Sequence, residues 1–203
     1  QGGGGSGTGG DGGGGGGSSP GCELTEGQAI GATCGIFVDA GAAGDGDGTA
    51  ASPRTSIAAA LDQAEAGESV YVCDAASGHT EAVTLTKSLT LVGGLDCGTW
   101  VYAAAGRTAW TAAADAIPLR ITGVSTVARV EGFAIESADA QALGGSSIAV
   151  LVAEATVELE RSTVVAGDGA AGLTATQPSP AAAAEAGDGG TAGCQSNGVV
   201  GGG

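Results

Sequence analysis

Between Ile36 and Gly94 the chain sets one amphipathic helix among short apolar strands, and that order limits what it can fold into. Ile36-Phe37-Val38 is an apolar run closed by Asp39 and a glycine-rich turn, the pattern of a strand and its exit. Pro53 stands ahead of Thr55 and Ser56, either of which suits a helix N-cap. Ile57, Ala60, Leu61 and Ala64 recur at helical spacing, with Asp62, Gln63 and Glu65 on the other side. A helix over about residues 55–66 is expected, with Gly67 as its left-handed stop. Val70-Tyr71-Val72 is a second strand. Val83 with Leu85, and Leu89 with Leu91, mark two more, with Lys87-Ser88 as a solvated corner and Gly93-Gly94 closing the turn.

Short strands continue beyond this stretch. Leu119–Ile121, Val127–Val130, Phe133–Ile135 and Ile148–Val152 are separated by Gly or Ser/Asp breaks. The hexapeptide Val83-Thr-Leu-Thr-Lys-Ser88 is echoed by Val157-Glu-Leu-Glu-Arg-Ser162, 74 residues later. An offset of that size is about three layers if each takes roughly 25 residues, inside the range for repeat architectures. Val157 and Leu159 alternate with Glu158 and Glu160, as a strand with one buried face requires.

The run "DGDGT…SIAAAL…GESVYV…TLTKSLTLVGG" resembles the opening of right-handed parallel β-helix proteins, the pectate-lyase-like solenoids, from Ile36 to about Gly167. The resemblance implies an all-β fold: a single-stranded parallel β-helix behind an N-terminal capping α-helix, flanked by Gly-rich low-complexity arms. It implies little about activity, because that fold hosts lyases, hydrolases, adhesins and structural proteins. An antiparallel sandwich of short strands is the alternative. The expected organisation is a Gly-rich arm over 1–21, a Cys-containing lead-in over 22–35, the β-helix over 36–167, and a Gly/Ala-rich loop or tail over 168–203. About four layers leave the last one open unless the tail covers it, and an open layer is a surface on which a second copy can stack.

Charge narrows the partners. A net charge of −16 with only six Lys and Arg leaves nothing to neutralise phosphates, so nucleic acid is not expected as a partner. An anionic membrane surface is disfavoured for the same reason, and no apolar run is long enough for membrane insertion. Cys22, Cys34, Cys73, Cys97 and Cys194 form no CxxC pair or His/Cys array, which argues against zinc or iron–sulfur sites. Disulfides in a secreted or cell-surface protein fit better. Cys22 and Cys34 bracket the lead-in, and Cys73 and Cys97, 24 residues apart, suit adjacent layers. Cys194 is left free, paired with another chain, or paired within this one, and spacing does not choose among the connectivities. Gln1 in place of Met fits a mature form whose signal sequence has been removed, and Ser19-Pro20-Gly21 lacks the apolar run of a lipoprotein anchor at Cys22.

Few residues offer chemistry. His79 follows Ser77-Gly78 and reads as a surface turn histidine with no nucleophile near it in sequence. A polysaccharide lyase needs a calcium cluster and a base, but Lys87, Arg120, Arg129 and Arg161 are scattered and have no acidic cluster beside them in sequence. Asp39, Asp45 and Asp47 form the best candidate metal site: carboxylates in a glycine-rich turn can wrap Ca2+, the one cofactor this sequence offers a site for. The same turn also reads as a plain loop whose aspartates bond their own backbone. Asp168 and Asp188 repeat the Gly-Asp-Gly pattern. Trp100, Tyr102 and Trp110 form either a sugar platform or a core plug. The function expected is a non-catalytic extracellular structural protein that self-assembles, as a filament or surface layer, through Gly-rich arms and solenoid ends. A carbohydrate-binding or lyase-like domain acting on polysaccharide, and an adhesin fragment, are the alternatives.

Overall fold

The computed structural model of the protein describes residues 21–174. The arm over 1–20 and the segment from 175, with Cys194 and Asp188, lie outside the described residues. Residues 21–172 belong to one compact unit.

The expected strand at Ile36–Val38 is β1, and the helix follows as α1, Ile57–Gln63. Ser56 is its N-cap and accepts from the Ala59 N–H. The helix stops four residues before Gly67, because Ala64 is extended, so Gly67 serves a later turn that donates to Ser88 O. Then come β2 (Ser69–Cys73), β3 (His79–Thr80), β4 (Val83–Leu85), β5 (Leu89–Leu95), β6 (Thr108–Thr111), β7 (Leu119–Glu131), β8 (Phe133–Glu136), β9 (Val150–Glu160) and β10 (Thr163–Val165).

These strands form two sheets, and every ladder in them is parallel, which removes the sandwich. One sheet joins β1, β2, β5, β7 and β4, with β9 added on β7; the other runs β10-β8-β6-β3. The all-β solenoid expectation is corrected to an α/β-like arrangement of two parallel sheets with a helix packed on one of them. The reason lies in β7. It runs through 13 residues and merges the strands expected at 119–121 and 127–130, pairing β4 along its first part and β5 along its last. The echo is also out of register. Val83 stacks on Leu119 and then Val150, whereas the structural counterpart of Val157 is Leu89, through Ala128.

Strand alternation builds two cores from the larger sheet. Ile36, Val38, Val70, Val72, Leu89 and Leu91 face inward to Ile57 and Leu61 of α1 and to Trp110, Phe133 and Ile135 of the second sheet. Phe37, Tyr71, Cys73, Val92 and Leu95 face the opposite way, against Ile30, Trp100 and Tyr102. The lead-in is therefore part of the fold. Ile30 N–H donates to Trp100 O and Tyr102 N–H to Gln28 O, an antiparallel clip laid over the outer face. Two disulfides fix this layer, Cys22–Cys34 and Cys73–Cys97.

The two ends of the sheets differ. The outer edge of β1 is used: Phe37 N–H donates to Gly48 O, and Arg54 N–H donates to Phe37 O. Among the described residues the other edge is bare, since there β9 pairs only β7 and β10 pairs only β8. Burial follows. In the columns Ile121–Val152, Val130–Leu159 and Ile135–Val164 the first member is 0% exposed and the second 38%, 42% and 42%.

Candidate functional site

One row of the larger sheet leads to the site. On the outer face, Phe37, Tyr71, Val92, Glu131 and Glu160 lie in register on successive strands. The first three are apolar and covered by the lead-in. At Glu131 the row turns polar while cover persists, and the carboxylate is 0% exposed. A buried carboxylate needs partners, and here it has three. Tyr102 Oη donates to Oε1 at 2.9 Å, the Arg161 guanidinium pairs with that same oxygen, and Arg129 Nη2 lies 3.1 Å from Oε2. Arg129 also bridges to Glu160 at 2.6 Å, which relieves the like charges stacked on neighbouring strands. Arg161 sits 5.6 Å over the Tyr102 ring, a cation–π contact. Its backbone holds φ +44°, and Trp100 in the clip holds φ +56°, both in the left-handed region that L-residues rarely adopt.

Beside this network lies a cavity of about 480 Å3. Ser69, Thr90 and Arg129, in register on β2, β5 and β7, form one wall. Glu23 and Leu24 of the lead-in form another, with Tyr71 at the base. Burial pushes the Tyr71 phenol above its ordinary value, opposed by a hydrogen bond with Ser69.

The residues singled out from sequence sit elsewhere or behave differently. Asp39, Asp45 and Asp47 do not converge. Asp39 accepts from the Gly41 N–H, Asp45 from the Thr55 N–H and Arg54, and Asp47 from the Thr49 N–H and hydroxyl. The backbone bond from Thr55 holds Asp45 below the usual carboxylate range, and that from Thr49 does the same for Asp47. These are the bonds of a loop whose aspartates serve its own backbone, the second of the two readings of this turn. Among the described residues the one trio of candidate ligand atoms within 4.8 Å is Asp39 with Cys73 and Cys97, and those sulfurs are joined in a disulfide and offer no thiolate.

The sugar platform is corrected too. Trp100, Tyr102 and Trp110 are 7%, 3% and 0% exposed, and Trp110 belongs to the other core. His79 is no surface turn residue: it lies in β3, 2% exposed, with Nε2 3.2 Å from Cys73 O and Nδ1 unpartnered. Lys87 is no solvated corner, since its ammonium donates to three carbonyls at the end of α1. Arg120 stands on β7 between Thr84 and Leu151. Asp168 bonds through its N–H to the Asp139 carboxylate.

Sequence reasoning missed Glu131, Tyr102 and Arg161 as a cluster, and it also missed Glu160 as the second acid near Arg129. The period-2 pattern assigns Arg129 and Glu131 correctly to the outer face, but nothing in it shows that the lead-in covers that face. No family model, curated protein or solved structure matches the chain. The β-helix resemblance rests on the quoted residues alone. No helix among the described residues is long and apolar enough to cross a membrane.

Proposed function

We propose that this chain is a non-catalytic, secreted or cell-surface structural protein that associates with further copies of itself through the bare edge of β9 and β10. The observation carrying this reading is the loss of burial along three columns at that edge, where inward-facing Val152, Leu159 and Val164 are left partly in water. Unpaired strand edges with apolar side chains are templates for strand addition. Two disulfides support an oxidising setting. The arginines nearest a carboxylate cluster are engaged in ion pairs, which supports a structural rather than a catalytic role for them.

The geometry changes the expected assembly. Head-to-tail stacking along the larger sheet needs both of its ends free, and the outer edge of β1 is already bonded by the Gly48 and Arg54 segments. Pairing through the bare edge alone joins identical surfaces and closes at a dimer. Growth beyond it requires a second contact, for which the sequence offers the glycine-rich residues 1–20.

Sedimentation and negative-stain microscopy of the full chain, and of the chain lacking residues 1–20, test this. A dimer that survives truncation, with larger assemblies only in the full chain, is the expected result. Monomers of both forms at high concentration would overturn it.

A further inference from the structure

We propose that the cavity beside Glu131 is a binding site for a neutral, hydroxyl-rich ligand of the saccharide class. This inference stands apart from the self-association reading, which rests on residues of the opposite side of the strand alternation.

The volume of about 480 Å3 falls within the roughly 300–1,000 Å3 of small-molecule sites. Its walls offer both halves of a hydrogen-bonding code. The Ser69 and Thr90 hydroxyls can donate or accept, the Glu23 carboxylate accepts, and the guanidiniums of Arg129 and Arg161 keep N–H groups beyond those given to carboxylates. Tyr71, Val92 and Leu24 add an apolar side for the C–H face of a ring. Charge then selects the ligand. The two guanidiniums of the lining are matched by its two carboxylates, Glu23 and Glu131, and Arg129 is paired with Glu160 besides, so an anion gains no net attraction and a cation meets the arginines. A neutral ligand carrying donors and acceptors meets neither objection.

The site is also built in advance of a ligand. Arg129 and Arg161 are held by Glu131, which is fully buried and fixed in turn by Tyr102. Arg161 maintains a left-handed backbone to reach that position. The Cys22–Cys34 disulfide anchors the wall bearing Glu23. Side chains locked in this way lose little freedom on binding.

The test is an amide-resolved NMR titration of the full-length chain with cellobiose, with chitobiose and, as an anionic counterpart, with digalacturonate. A neutral disaccharide is expected to shift the amides of Glu23, Thr90, Arg129 and Arg161. Thr90→Val, which keeps the side-chain shape, should bind it about fivefold more weakly, as the loss of one hydrogen bond predicts. Should Thr90→Val not fold, Glu23→Gln at an exposed position should show a comparable loss. Absence of shifts at the cavity with either neutral sugar, binding of digalacturonate alone, or unchanged affinity in the folded variant would overturn the proposal.

Discussion

Glu131 shows how much a single buried charge depends on its neighbours. Removing one partner of such a carboxylate leaves it less than fully satisfied, and that costs more than the pair contributes when intact. Tyr102→Phe deletes one donor and leaves the ring packing unchanged. It should lower unfolding free energy by about 1–3 kcal/mol in chemical denaturation. The exposed loop aspartates behave in the opposite way. Asp45 and Asp47, and Asp96 through Thr99, have carboxyls held below the ordinary 3.8, chiefly by hydrogen bonds to the charged form. A lowered folded value means that their contribution is present above the unfolded value and is lost as pH falls through the lower folded one. Carboxyl NMR titration should place all three below 3.8, and neutral pH should leave the loops intact. The Glu131 cluster was not legible in the sequence, because Tyr102, Glu131 and Arg161 are far apart along the chain and meet only when the chain folds over the sheet, whereas aspartates bonding their own loop were one of the two readings of the turn at Asp39 to Asp47.

α1 is seven residues long, too short to persist in water by itself. Two charged side chains from the loops flanking β4 hold its ends. Glu81 accepts from the Ile57 and Ala58 N–H groups at 2.7 and 2.9 Å, and Lys87 donates to the carbonyls of Leu61, Asp62 and Ala64 at 2.9, 3.2 and 2.7 Å. An acid at the N-terminus and a base at the C-terminus complement the helix dipole. Lys87→Met should therefore cost about 1–2 kcal/mol and speed amide exchange in α1 before the strands loosen. The helix itself was legible from its spacing and from Ser56. Its clamps were not, since Lys87 between two strands looks like any corner. β3 and β6 escaped for a related reason. Their buried positions are His79 and Thr108 with Trp110, and no run of aliphatic residues announces them. The aliphatic strands β1, β2, β4 and β5 were legible because Val, Ile and Leu occupy their inward positions.

For the molecule as a whole, the two-sheet architecture was misread because the sequence shows strands and breaks but not which breaks a sheet passes through. The bend within β7, at Gly123 to Ser125, carries the ladder across a gap that reads as a turn. Self-association at the bare edge would make stability depend on concentration. The thermal midpoint should rise as protein concentration rises. Val164→Lys, at a position 42% exposed in the single chain, should abolish that dependence and leave the far-UV spectrum of the dilute protein unchanged.

Because β9 is bonded only to β7 and β10 only to β8 among the described residues, the covered β1 edge acts as the zero mark of a ruler. Strands could be gained or lost at the β9 end without disturbing the Glu81 and Lys87 clamps or either disulfide. Length in a molecule built this way is a variable set at one end, with the chemistry that secures the fold kept at the other.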